Sequence, residues 1–262
     1  MLSLGICARP EQADVVASSY DYIELPFATA LDPLRNDADF AEDLARLKDL
    51  PLPARACNIL LPGLMRLVGP EVDGEAIRRY LIRGLARAYS LGIERVVFGS
   101  GAARRVPEAF SRDAAWDQLV AFCRLCSDLA YPGLEIAIEP LNRQECNIIN
   151  GFPEAVALAR DAGCTNVGVV ADIYHMQAES EPLAVLWQGS DLLKHVHVAD
   201  TDRRYPGSGS NQLPELFATL DAIQYQGSVS VECRWGPDFA SEAHRAARFL
   251  RSILGPASHT SA

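Results

Sequence analysis

Four side chains in the second half of the chain have the types and spacing of a cation site: Glu139 in EIAIEP, Asp172 in VGVVAD, His197 in KHVHVAD and Glu232 in SVSVEC. Each closes a run in which apolar residues alternate with small or polar ones. Ile136 and Ile138 share a face opposite Ala137 and Glu139, and Val229 and Val231 oppose Ser230 and Glu232. Val167, Val169 and Ala171 likewise oppose Gly168, Val170 and Asp172, while Val196 and Val198 oppose His195 and His197. Successive strand side chains point to opposite faces. Branched apolar faces pack on a helix layer, so the small and polar faces must turn to a common axis. That brings the four side chains to one rim. Carboxylates converging at about 4 Å repel by roughly 4 kcal/mol per pair at an effective dielectric of about 20, a cost that a divalent cation removes. Three oxygen donors and one imidazole leave two octahedral positions open, which suits Mn2+, Mg2+ or Co2+ better than the sulfur-rich tetrahedron of structural zinc. Helix capping by an acid, or a satisfied core histidine, explains any one of these positions taken alone. It does not explain four on one rim.

The elements that must position them follow from the same alternation. Strand-like runs are SLGIC from Ser3, YIEL from Tyr22, RACNILL from Arg55, RVVFGS from Arg95, EIAIEP from Glu135, VGVVAD from Val167, KHVHVAD from Lys194 and SVSVEC from Ser228. Amphipathic stretches separate them, clearest in GEAIRRYLIRGLARAYSLG, where Ile77, Tyr80, Leu81, Leu85 and Ala88 recur at helical spacing. Strand and helix repeated eight times predict an α/β fold, a single (β/α)8 TIM barrel. Gly92, Gly133, Gly163 and Gly227 stand shortly before strands, where a helix is expected to end in a left-handed or tight conformation. An open doubly wound sheet is the alternative, but no GxGxxG follows the first strand. The barrel is expected over residues 1–254, with the small, polar GPASHTSA of residues 255–262 as a frayed tail.

Composition narrows the partners. The formal charge of -10 over 262 residues disfavours a polyanion such as nucleic acid. The seven cysteines suggest neither a disulfide framework nor a zinc ribbon, and Cys123 and Cys126 fall on the inner face of an apparent helix. MLSLGICARPEQ lacks the pattern of a leader peptide, and no run of about 18 apolar residues offers a membrane span. A cytoplasmic protein without membrane contact is expected.

Loops after the strands add polar groups. His175, three residues past Asp172, is placed to bring its imidazole over the open side of a metal and bind a substrate oxygen. Arg203 or its neighbour Arg204 is able to fork onto hydroxyl or carbonyl oxygens, with surface solvation as the rival for both. Asn142, Arg143 and Glu145 share one turn suited to gripping a polyol, or serving as a plain solvated loop. GSGAARR from Gly99 and PGSG from Pro206 read equally as phosphate cradles or tight turns, so a phosphorylated and an unphosphorylated ligand both stay open. Cys146 and Phe27 read as pocket lining or as core.

The strings IEPLNRQE, DIYH, HVHVADTDRRYPGSG and VSVE resemble the motifs of the xylose isomerase-like barrel superfamily, above all its ketose 3-epimerases. The resemblance implies one metal, usually Mn2+ with Mg2+, Co2+ or Zn2+ as relatives, on Glu139, Asp172, His197 and Glu232. It implies sugar contacts from His175, Arg203 and Glu145, acid and base roles for Glu139 and Glu232, and a homo-oligomer. A metal on a carbonyl oxygen stabilises the cis-enediolate formed when the neighbouring C–H loses its proton. Two glutamates on opposite faces of the substrate then make a ketose or keto-sugar 3-epimerase. Return of the proton to the adjacent carbon would give a hydroxypyruvate-type aldose–ketose isomerase, and loss of a β-leaving group a lyase acting on a 3-keto sugar or inosose. An apurinic-site endonuclease of the same architecture needs more histidines on the early strands than NILLPG and VFGSG supply. A non-catalytic sugar-binding barrel would be expected to have lost one of the two glutamates.

Overall fold

Eight short parallel strands close on themselves in sequence order in the computed structural model, which describes residues 2–254. They are β1 (Ser3–Cys7), β2 (Tyr22–Pro26), β3 (Ala54–Asn58), β4 (Arg95–Phe98), β5 (Glu135–Ile138), β6 (Val167–Asp172), β7 (Leu193–Val198) and β8 (Ser228–Val231). Helices α1 (Ala13–Val16), α2 (Asp37–Lys48), α3 (Gly74–Ser90), α4 (Gly101–Arg104), α5 (Arg112–Leu129), α6 (Phe152–Ala162), α7 (Ile173–Ala178), α8 (Leu213–Ala222) and α9 (Phe239–Leu254) lie between and after them. The expected TIM barrel is therefore the fold; the expected tail, residues 255–262, lies outside the described residues.

The helix layer follows from capping and periodicity. Asp73 caps α3 by accepting the Ala76 N–H at 2.9 Å, and Ile77, Tyr80, Leu81, Leu85 and Ala88 all lie buried against the strands. Ser111 caps α5 in the same way, and its inner face buries Cys123 and Cys126. Burial pushes the Cys123 thiol up to about 12, so it stays protonated and serves packing. Gly92, Gly133 and Gly163 take the positive φ expected of them. Gly227 does not: Gln224 adopts it instead, with φ 57, and at Gly227 a Cβ would lie 2.2 Å from the Tyr225 hydroxyl. β3, β4, β5, β7 and β8 also end sooner than the alternation suggests. β3 stops at Asn58 because Ile59 turns to φ 50, a costly conformation for a β-branched residue.

Inside the barrel, Tyr22 fills the floor. Its ring occupies the space above Gly5, where a Cβ would come within 2.1 Å of it, and its hydroxyl pairs with Ser230 Oγ at 2.7 Å. Val97, Ala137 and Val170 form a separate apolar knot on the inward side of β4, β5 and β6. Between β6 and β7 the register shifts at Val169/Val170, after which Asp172 stands directly beside His197.

Candidate metal centre and active site

Glu139, Asp172, His197 and Glu232 come together where β5 to β8 end. One ligand atom from each lies within 4.8 Å of all the others. His197 Nδ1 sits at the centre, 2.9 Å from Glu139 Oε1, 3.6 Å from Glu232 Oε2 and 3.9 Å from Asp172 Oδ2. Asp172 divides its carboxylate: Oδ1 caps α7 by accepting the Tyr174 N–H at 2.8 Å, while buried Oδ2 has no hydrogen-bond partner. Bonds of about 2.1 Å to an octahedral cation put neighbouring donors about 3 Å apart and opposite donors about 4.2 Å apart, a range that holds the 2.9, 3.6 and 3.9 Å separations from His197 Nδ1. The field agrees. Although burial opposes it, the carboxylates of Glu24 and Glu232 raise the His197 imidazole well above its ordinary value. Burial and the carboxylates of Glu139 and Asp172 push Glu232 up against the pull of His197 and Arg203. Glu139 is drawn down, because its hydrogen bond and charge interaction with His197 outweigh burial. A cluster so short of positive charge suits a divalent cation.

Polar side chains from the neighbouring loops surround it. The main-chain N–H and Nδ2 of Asn142 both point at His175 Nδ1, at 3.2 and 2.9 Å. Two donors on Nδ1 leave the imidazole proton on Nε2, which is buried, unpartnered and 3.8 Å from Asp172 Oδ2. Arg203 is the inward arginine. Its Nη2 donates to Glu232 Oε2 at 2.7 Å and its Nη1 to Glu145 Oε1 at 3.3 Å, while the guanidinium lies 4.7 Å over the Tyr174 ring. Burial opposes the charge of Arg203, but Glu232, Asp172, Glu145 and Glu139 outweigh it. Arg204 and Arg143 point elsewhere, Arg204 to Thr201 O and Arg143 to the Glu179 carboxylate. Cys146 and Phe27 are fully buried core, not pocket lining.

Residues 13–253 match the sequence profile described as "Xylose isomerase-like TIM barrel". The chain belongs to this family. The L-ribulose 3-epimerase of Methylomonas sp. (strain DH-1) is 30% identical over 233 residues, covering 86% of this chain and 78% of that one. The 3-dehydro-D-guloside 4-epimerase of Escherichia coli (strain K12) is 38% identical over 117 residues, 44% of this chain, and the match spans 45% of that enzyme's length. The crystal structure of D-psicose 3-epimerase with D-tagatose from Clostridium cellulolyticum H10 superposes with a TM-score of 0.83, covering 97% of this chain and 99% of that one. At 21% identity, that likeness is one of fold. This xylose isomerase-like barrel is thus related to ketose 3-epimerases, as its motifs suggest.

The barrel uses early-strand residues that pattern reading passed over. Glu24 on β2 is fully buried and accepts from His197 Nε2 at 3.0 Å through Oε1 and from His195 Nε2 at 2.8 Å through Oε2. Burial opposes ionisation of Glu24, yet the two imidazoles outweigh it and hold the carboxyl well below the usual range. The Nε2 proton of His197 is fixed on Glu24, which turns Nδ1 toward Glu139, Asp172 and Glu232. Asn58 on β3 donates Nδ2 to Glu232 Oε1 at 2.8 Å, so both oxygens of Glu232 are gripped. At Gly99 a Cβ would lie 2.1 Å from Glu139 Oε2. The one available signal was YIEL, where a charge falls on the same face as Tyr22 in an otherwise apolar strand. Replacing Glu24 by Gln keeps its shape and removes its charge; Mn2+ affinity is expected to fall about 10- to 100-fold with the barrel folded. Titration calorimetry checks this, and an unchanged affinity refutes the orienting role.

Neither glycine-rich stretch is a free anion cradle. In the PGSG loop, buried Asp200 itself accepts N–H groups from Thr201 at 2.8 Å, Gly207 at 2.8 Å and Asn211 at 2.9 Å. Burial opposes ionisation, but those amides outweigh it and lower the Asp200 carboxyl below its ordinary value. In GSGAARR, both arginines turn to main-chain carbonyls.

Proposed function

We propose that the protein is a divalent-metal-dependent 3-epimerase of a ketose or keto-sugar. The observation that carries the reading is the convergence of Glu139, Asp172, His197 and Glu232 within 4.8 Å, beside the unpartnered Nε2 of His175. The chain's likeness to the L-ribulose 3-epimerase and the 3-dehydro-D-guloside 4-epimerase supports a sugar of this class as substrate. Mn2+ fits the three carboxylates and one imidazole, with Mg2+, Co2+ and Zn2+ as alternatives. When bound, the cation would polarise the substrate carbonyl and stabilise the negative charge left by loss of the adjacent proton.

The chain's own residues do the rest. Glu139 and Glu232 project from strands separated by two others, so a substrate carbon lying between them meets a carboxylate on each face. One takes the proton and the other returns one from the opposite side, which inverts the carbon. Asn58 and Arg203 fix both oxygens of Glu232, and Gly99 leaves room for Glu139 Oε2. His175 donates its Nε2 proton to a substrate oxygen. Arg203 donates to a second oxygen while Glu145 accepts a hydroxyl, and both are already held against each other. An unphosphorylated sugar fits better than a sugar phosphate, because Asp200 fills the amide cradle of the PGSG loop. The seven free cysteines accord with a reducing, cytoplasmic setting.

The test incubates Mn2+-loaded protein with ketoses, inososes and 3-keto glycosides in D2O and follows products by NMR. Deuterium at a carbon next to the carbonyl, with that carbon inverted, is the expected result. Elimination products, aldose formation, or no exchange with any sugar would replace the reading with lyase, isomerase or non-catalytic binding.

A further inference from the structure

Apart from Gly99, the GSGAARR segment after β4 takes no part in the chemistry proposed above, yet it contains the largest fully buried side chain among the described residues, Arg104, with 0% exposure. Among the described residues its guanidinium pairs with no carboxylate. It forks instead onto two main-chain carbonyls, Nη1 on Phe98 O at 3.0 Å and Nη2 on Glu139 O at 2.6 Å, and Nε has no partner. Burying a cation without an anion costs several kcal/mol, and an apolar residue would fill the same space more cheaply. What arginine alone supplies is a rigid planar fork. Here the fork ties the carboxyl end of β4 to the backbone of Glu139, which also donates its N–H to Phe98 O at 3.1 Å.

The ties continue along both loops. Arg105 Nη2 donates to Glu145 O at 2.7 Å, and Cys146 Sγ to Gly101 O at 3.4 Å. Val106 N–H donates to Asn147 Oδ1 and Asn147 Nδ2 returns to Val106 O, each at 2.9 Å, while Arg112 Nη1 reaches Asn147 O at 2.7 Å. The stretch they hold carries Glu139, Asn142 and Glu145, and Asn142 and Glu145 in turn meet His175 and Arg203.

We propose that Arg104 is a positioning residue for Glu139, acting through its main chain, and that the segment from Phe98 to Arg112 is the template on which the active loop after β5 is held in register. The proposal rests on the reading of Glu139 as a metal ligand and proton-transfer group. A shift of about 1 Å in such a group costs about 100-fold in rate, so a clamp on its backbone has catalytic consequences.

Three variants test it: Arg104→Met, which keeps length without the fork; Arg104→Lys, which keeps charge without the fork; and Arg104→Gly with guanidinium added. Melting temperature, Mn2+ affinity by titration calorimetry, and kcat and KM on the sugar that the wild type epimerises are measured for each. Expected for Met and Lys are folded barrels, Mn2+ affinity reduced about tenfold, and kcat reduced about 10- to 100-fold with KM within about threefold. Guanidinium is expected to restore kcat and Mn2+ affinity to the Gly variant. Wild-type kcat and Mn2+ affinity in the Met or Lys variant would overturn the proposal. So would guanidinium that raises the melting temperature of the Gly variant without restoring either quantity, since that is the behaviour of a purely structural arginine. Should no Arg104 variant fold, Arg105→Ala at its exposed position decides: KM raised about threefold or more supports the template, and an unchanged KM overturns it. If the wild type turns over no sugar, the functional reading fails while the Mn2+ affinities still decide the clamp.

Discussion

Replacing Glu139 by Gln, or Glu232 by Gln, is expected to lower deuterium exchange and epimerisation by about 1,000-fold or more while leaving the barrel folded. Each glutamine keeps the shape of the side chain but can neither take the proton nor supply the charge that helps hold the cation, and loss of general acid–base catalysis alone costs about 100- to 10,000-fold. The stability readout separates this from simple damage. Glu232 is crowded by the carboxylates of Glu139 and Asp172, and burial raises its pKa, so its ionised form opposes folding in the metal-free protein. Glu232→Gln removes that repulsion, and the metal-free variant should melt at or above the wild-type temperature. Activity lost together with stability held or gained is the signature of a group kept for chemistry. Wild-type turnover in either variant would contradict the acid–base assignment.

Metal removal should have the second large effect. Treatment with a chelator is expected to abolish exchange, and Mn2+ to restore it. Free Mn2+ at about 100 times its dissociation constant should stabilise the fold by about 2.7 kcal/mol, a rise of about 5–10 °C in melting temperature for a domain of this size. A His197→Ala variant, which removes the nitrogen lying within 4 Å of all three carboxylates, should lose both responses. A melting temperature indifferent to Mn2+, Mg2+, Co2+ and Zn2+ would remove the cation from the account, leaving His197 as a histidine held by buried carboxylates.

Sequence alternation carried the barrel and the four rim side chains because both depend on local rules. A residue's face on a strand is set by its parity, and branched apolar residues mark the face that meets the helices. Ile136, Ile138, Val196, Val198, Val229 and Val231 all pack into the main core, and their alternates turn inward. The residues that escaped notice act across long separations. Glu24 meets His197 over 173 positions, and Asn58 meets Glu232 over 174, so closure of the barrel decides their roles rather than any neighbouring residue. The glycine-rich stretches were ambiguous for a related reason. A loop of small residues near arginines looks the same whether its amides face a phosphate or a carboxylate of its own chain, and only the folded position of Asp200 separates the two. Strand ends were overrun because the backbone leaves the sheet before the apolar pattern stops, as at Ile59.

The tyrosine lodged above Gly5 has a consequence for traffic. The lower end of the barrel is stoppered by an aromatic ring pinned to Ser230, which closes that end to the proposed sugar. For the epimerase proposed above, reactant would arrive and product depart through the same upper mouth, and clearance of that entrance would bound turnover alongside proton transfer.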